Sequence, residues 1–125
     1  MEVKEIFKNG KVLTLELAKN LIGKKIVWTH PAYNPPTVNE TTIGGIMSEL
    51  DYYEGQPMNG FKSRAEYWRS YMTEKQLSER ERTLMIVDEN GKGTYMRCYL
   101  YSGIYDMPTF TCSDEDREVY FIAID

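Results

Sequence analysis

Two β-favouring runs joined by an Asn-Gly turn constrain this chain more than any other feature. Residues 83–88 read Thr-Leu-Met-Ile-Val-Asp. This is a continuous apolar run bounded by turn formers, the pattern of a strand covered on both faces. Glu89-Asn90-Gly91-Lys92-Gly93 follows, and its Asn-Gly dipeptide supplies the positive φ that a tight hairpin turn needs. Residues 94–101 then return with clean alternation. Met96, Cys98 and Leu100 fall on one face, and Tyr95, Arg97, Tyr99 and Tyr101 on the other. A sheet built around such a hairpin is locally antiparallel, and the regular strand–helix alternation of a parallel sheet is missing elsewhere.

The remaining elements are read around that hairpin. Ile6-Phe7, Asn9-Gly10 and Val12-Leu13 have the makings of a small N-terminal hairpin. Leu15, Ala18 and Ile22 share a helical face with Leu17 and Leu21 beside it. With Thr14 as N-cap and Gly23 as stop, this predicts a helix over 15–22. Ile26-Val27-Trp28-Thr29 reads as a strand that Pro31 ends. Pro31, Pro35 and Pro36 make the segment to Glu40 a loop. A long strand is expected over 41–53, with a bulge at Gly44-Gly45 that brings Ile43 onto the face of Ile46, Ser48, Leu50 and Tyr52. Ser63 with Glu66, and Thr73 with Gln76, have capping-box spacing. They predict a helix carrying Ala65, Trp68 and Met72 inward, a break near Thr73, and a second, charged surface helix to about Arg82. Residues 102–117 read as a long connection, and 118–124 as a last strand tied into the sheet.

This order gives a single compact domain over 1–125 of the α+β class. It has a mainly antiparallel, five-stranded bent sheet and two to three helices. Short bent strands with a Gly-Gly bulge resemble a small, partly open barrel of the SH3-like or OB-like kind. Length permits it: 125 residues bury about two-thirds of the unfolded surface without disulfides or metals.

Composition removes several function classes. A formal charge of -4 gives no diffuse positive field, which disfavours nucleic acid as a partner. Cys98 and Cys112 are the only cysteines and His30 the only histidine, too few for a cysteine-built zinc site. No apolar run reaches the roughly 20 residues of a membrane helix, and the N-terminus lacks a signal-peptide pattern. The expectation is a cytoplasmic protein that uses no cofactor or metal and no membrane. A Cys98–Cys112 disulfide is geometrically open, but nothing marks a secreted chain. Neither Gly44-Gly45 nor Gly91-x-Gly93 has the frame of a phosphate loop.

What composition does offer is aromatic surface: ten Tyr, four Phe and two Trp. The Tyr95, Arg97, Tyr99 and Tyr101 stripe combines flat amphipathic rings with a guanidinium, residue types enriched in protein interfaces and suited to stacking on bases. The competing reading is that the 64–82 helices cover it. The leading expectation is a non-catalytic module that binds another protein through this face. A single-strand nucleic-acid binder is one alternative, and a small hydrolase centred on His30 with Cys112 or the Asp114-Glu115-Asp116 turn is another. His30 and Tyr33 are weaker binding candidates. Tyr33 belongs to a second surface, the Pro-rich loop with Trp28, Tyr52 and Tyr53, while His30 is expected at a rim position, as a partly exposed residue at a strand end. Trp68 with Tyr67 and Tyr71 has the composition of an aromatic box, although helical spacing favours Trp68 in the core.

Overall fold

A computed structural model of the chain describes residues 1–102, 106–113 and 118–123. It is an α+β fold with an antiparallel sheet of seven strands and, among the described residues, five helices. In chain order these are α1 (Val3–Asn9), β1 (Lys11–Val12), α2 (Leu15–Asn20), β2 (Lys25–Thr29), β3 (Asn39–Ser48), α3 (Glu49–Glu54), α4 (Arg64–Tyr71), α5 (Glu74–Glu81), β4 (Thr83–Asp88), β5 (Gly93–Tyr99), β6 (Phe110–Thr111) and β7 (Phe121–Ile122). The sheet order is β1-β7-β2-β3-β4-β5-β6. Isolated bridges, Thr14 with Thr109 and Thr111 with Val119, draw the outer strand β6 back toward the segments beside β1 and β7. The sheet is therefore curled but remains open.

The hairpin forms where expected. Gly91 takes φ +78°, and the Asp88 carboxylate accepts hydrogen bonds from Asn90 N at 2.8 Å and Lys92 N at 3.0 Å. The turn is thus held by its own first residue. β4 pairs β5 with Leu84 opposite Cys98 and Met85 opposite Arg97. Alternation along β4 explains its unbroken apolar run. Ile86 joins the main core, with Met96, Cys98, Phe110, Trp28 and Tyr120, while buried Met85 lies beneath the layer formed by α3–α5.

All three expected helices form, with local chemistry as the reason. Thr14 Oγ1 accepts from Leu17 N at 3.1 Å at the head of α2, and Gly23 has φ +89°. Ser63 caps α4, and Thr73 with Gln76 forms a complete capping box on α5. Trp68 is buried and packs edge-on to Tyr53 at 4.8 Å, while Tyr67 stacks with Tyr71 and Phe61 on the outside of α4.

Four expectations are corrected. The N-terminal hairpin is instead a helix, α1, which buries Ile6 and sets Phe7 edge-on to Phe121 at 5.3 Å. Gly10 adopts extended backbone rather than a turn conformation. Its hydrogen stands where a Cβ would strike the carbonyls of Ile6 and Ile122. The long strand stops at Ser48, because the Ser48 hydroxyl accepts from Asp51 N at 3.1 Å and starts α3, with Glu49 and Asp51 at the positive helix end. The strand count rises from five to seven because β1 and β6, of two residues each, are too short to carry a periodic signal. Leu100, placed by alternation on the same face as Met96 and Cys98, is exposed, unlike them, because β5 ends at Tyr99.

The bulge is present, between Ile43 and Gly45, and only one of its glycines is sterically required. A Cβ on Gly44 would collide with the Asp88 carbonyl, whereas one on Gly45 meets only Val87 Cγ2 at 3.6 Å. Gly44→Ala should lower unfolding free energy by about 2 kcal/mol or more, and Gly45→Ala by less than about 1 kcal/mol. Urea titration of the two variants distinguishes them. The buried Cys98 thiol sets a second expectation, since burial pushes it up to about 11 from 9.0. The unfolded thiol ionises first as pH rises, so the folded state binds the extra proton between pH 9 and 11 and stability falls across that window. The fall is at most about 1.4 kcal/mol per pH unit. Cys98→Ala should flatten this loss in urea titrations at pH 8, 9 and 10.

Candidate functional site

The predicted tyrosine stripe is divided by the structure into three environments. Tyr95 points outward with 82% of its surface exposed. Arg97 is covered by the helical layer. Its Nε donates to Glu49 Oε2 at 2.7 Å, and a terminal nitrogen donates to the Thr94 carbonyl. Tyr99 and Tyr101 are half-buried, edge to face at 6.1 Å, and line a cleft of about 300 Å³ with Met72, Gln76, Glu79, Arg80 and Thr83. The helices thus cover one member of the stripe, leave another free, and make a wall for the remaining two.

The cleft is built on a charge cluster. Glu49 is only 6% exposed, and its second oxygen accepts from Arg80 Nη1 at 2.7 Å. One carboxylate therefore joins α3 to β5 through Arg97 and to α5 through Arg80. The Arg80 guanidinium also lies 4.5 Å from the centre of the Trp68 ring, a cation–π contact that holds it flat. Arg82 stands 5.7 Å over the Tyr101 ring. The Tyr99 hydroxyl donates to the Cys112 carbonyl at 3.4 Å. The walls are consequently held by interactions of their own rather than waiting for a ligand to order them. Glu49 and Glu79 balance Arg80 and Arg97, so net charge does not choose the ligand. The tyrosine rings and the Gln76 side chain line the cleft beside the charge pair.

His30 is placed differently from its expected rim position. It is fully buried, packed 4.5 Å from the Tyr120 ring and 6.0 Å from Tyr33. Its Nδ1 accepts from Ala32 N at 3.0 Å, and its Nε2 lies 3.2 Å from the Glu118 carbonyl and 3.6 Å from Cys112 Sγ. An amide N–H can only donate and a carbonyl can only accept, so the neutral ring carries its proton on Nε2. His30 and Cys112 do meet, as the hydrolase reading requires. With the lone pair on Nδ1 engaged and the Nε2 proton facing the Glu118 carbonyl, however, the imidazole as held has no lone pair with which to act as a base toward Cys112. The acidic residues Asp114, Glu115 and Asp116 lie outside the described residues.

The second predicted surface is not assembled. Trp28 is buried, donating from Nε1 to Thr41 Oγ1 at 3.0 Å and contacting Tyr33 and Tyr120 edge-on. Tyr52 and Tyr53 belong to α3, where Tyr52 Oη accepts from Gly93 N at 2.9 Å and Tyr53 meets Trp68. Proximity in sequence did not survive the turn into α3. Tyr33 stays near His30, and burial, followed by the neighbouring Cys112, pushes its phenol up. Burial pushes the Tyr120 phenol up further.

Sequence reasoning missed three members of these sites. Glu49 was hidden inside a supposed strand, although Ser48 followed by Glu49 and Asp51 is a helix-start signal. Arg80 was merged into a charged surface helix, and Tyr120 into an apolar terminal strand. Neither cysteine forms a disulfide; Cys98 is buried and Cys112 exposed. Among the described residues, no three His, Cys, Asp or Glu side chains cluster as metal ligands, and no helix is long and apolar enough to cross a membrane. Comparison with models of protein families, with curated proteins and with solved structures finds no match to this chain.

Proposed function

We propose that this chain is a binding module that captures a short segment of another protein in the cleft between α5 and the end of β5. The observation that carries this reading is the pairing of Tyr99 and Tyr101 across from Gln76, Glu79 and Arg80 around a floor locked by Glu49. Half-buried tyrosines and a stacked arginine are the residue types in which binding energy concentrates, because they offer large rigid area and a polar tip. A cleft of about 300 Å³ lies at the small end of ligand sites. It suits one or two anchoring side chains of a peptide. Walls already fixed by ion pairs and ring contacts reduce the ordering entropy that binding would otherwise have to overcome.

The reading keeps the partly open, SH3-like or OB-like barrel, supported by the bridges that return β6 toward β1 and β7. It also keeps the module in the cytoplasm, a reducing compartment in which two cysteines outside any disulfide stay thiols.

Panning a phage-displayed peptide library against the full chain tests the reading. Selected peptides should bind the wild type and lose about tenfold or more in affinity with Tyr101→Ala or with Gln76→Arg, which fills the cleft. Tyr95→Ala, outside the cleft, should leave affinity unchanged. Peptides that bind all three variants equally, or no enrichment at all, would refute the cleft as the binding site.

A further inference from the structure

We propose that Asn59 is a site of spontaneous covalent modification, where the Gly60 amide closes on the Asn59 side chain and converts it, through a cyclic imide, to aspartate and isoaspartate. The proposal does not depend on the peptide-binding reading.

The chain has three Asn-Gly pairs, at 9–10, 59–60 and 90–91. Ring closure needs a following N–H that can reach the carboxamide, and glycine, lacking a Cβ, opposes that approach least. Asn20 and Asn39 precede the larger Leu21 and Glu40, and Asn34 precedes Pro35, which has no N–H. The sequence makes the three pairs equal, and the fold separates them. At the end of α1, Gly10 N donates to the Ile6 carbonyl at 2.8 Å, and Gly10 is packed so closely that a Cβ would strike the Ile122 carbonyl. In the hairpin, Gly91 N donates to the Asp88 carbonyl at 3.0 Å, and the Asp88 carboxylate holds the amides of Asn90 and Lys92 on either side. Asn59 and Gly60 are both exposed, and no residue beyond its chain neighbours lies within 4 Å of the place a Gly60 Cβ would take. Among the described residues, Gly60 N donates to no group; a single bond, from Phe61 N to the Met58 carbonyl at 3.0 Å, closes the turn around it. The Gly60 nitrogen can therefore swing onto the Asn59 side chain without first breaking a bond of its own. At the other two pairs that bond must break, and part of a helix end or a hairpin must open with it.

Water is the only co-reactant. The Gly60 nitrogen gives its proton to solvent hydroxide and attacks Asn59 Cγ. The new N–Cγ bond forms, the Cγ–Nδ2 bond breaks, and Nδ2 takes a proton and leaves as ammonia. The resulting imide joins Cγ and the Asn59 main-chain carbonyl carbon through one nitrogen. Water opening it at Cγ gives aspartate, and at the main-chain carbon gives isoaspartate, whose chain runs on through the side-chain carbons. Nothing is oxidised or reduced. Either product adds a negative charge, and isoaspartate also lengthens the backbone between α3 and α4, two residues before Phe61, whose ring lies 5.2 Å from that of Tyr67.

Incubation of the full chain at pH 8, folded in buffer and in parallel unfolded in guanidinium chloride, followed by peptide mass spectrometry, measures the rate at each pair. In the folded chain Asn59 should deamidate at least about fivefold faster than Asn9 or Asn90, with isoaspartate among the products on electron-transfer fragmentation. In guanidinium chloride the three rates should converge, because the hydrogen bonds that protect Gly10 and Gly91 are gone. Asn59→Gln, at an exposed position, substitutes a side chain whose larger ring closes far more slowly. It should abolish the first acidic species that the folded wild type yields on anion exchange and leave the melting temperature unchanged. Folded-state deamidation at Asn59 no faster than at Asn9 or Asn90, an Asn59 advantage that persists in guanidinium chloride, or a first acidic species retained in Asn59→Gln would overturn the proposal.

Discussion

The buried carboxylate of Glu49 is the interaction on which the functional half of the molecule depends. It sits at the first position of α3, under the helical layer, with one arginine on each oxygen. Arg97 reaches it from the hairpin strand β5 and Arg80 from α5, so three elements distant in sequence meet at one group. A buried ion pair contributes little net stability compared with apolar packing of equal volume, but its loss is costly when one charge stays behind. Its value lies in geometry. The Glu49 contacts set the position of α5 against β5, and that separation is the cleft in which Tyr99 and Tyr101 stand.

The two sides of β4 show why the molecule divides as it does. Ile86 belongs to the core that also holds Trp28, Met96 and Phe110, an interior of apolar and aromatic side chains. Met85, on the opposite face, lies close to Tyr52 of α3, in a layer that mixes rings with charges: Trp68, Tyr53, Arg80 and Glu49. The first face stabilises the fold by removing apolar area from water. The second leaves polar groups at a partly open edge. His30, Tyr120 and Cys112 form a separate polar group beside the first core, where β2 meets the segment leading into β7.

Much of the backbone was legible because it obeys local rules. Asn90-Gly91 allows one turn geometry, Thr73 and Gln76 satisfy each other's backbone donors, and Gly44-Gly45 marks the bulge. The failures share a cause. α1 and α3 are short helices whose sequences also read as β, and β1 and β6 are two-residue strands defined by their neighbours rather than by pattern. Alternation correctly grouped Arg97 with its neighbouring tyrosines, yet could not say that a glutamate 48 positions away would claim it. His30 was legible as the sole imidazole and Cys112 as a partner for it. Which ring nitrogen of His30 carries the proton depends on the Ala32 amide and the Glu118 carbonyl, which no residue pattern displays.

The central claim, that Glu49 couples the hairpin to the helical layer, is tested most directly by a double-mutant cycle between Glu49→Leu and Arg97→Met, with stability read by urea titration. Glu49→Leu leaves two arginines without their shared partner and should cost about 3–5 kcal/mol. The double variant should be less destabilised than the sum of the singles by at least about 1.5 kcal/mol. Additivity within about 0.5 kcal/mol would show that the two side chains do not act together, and would contradict the account of how the cleft is held.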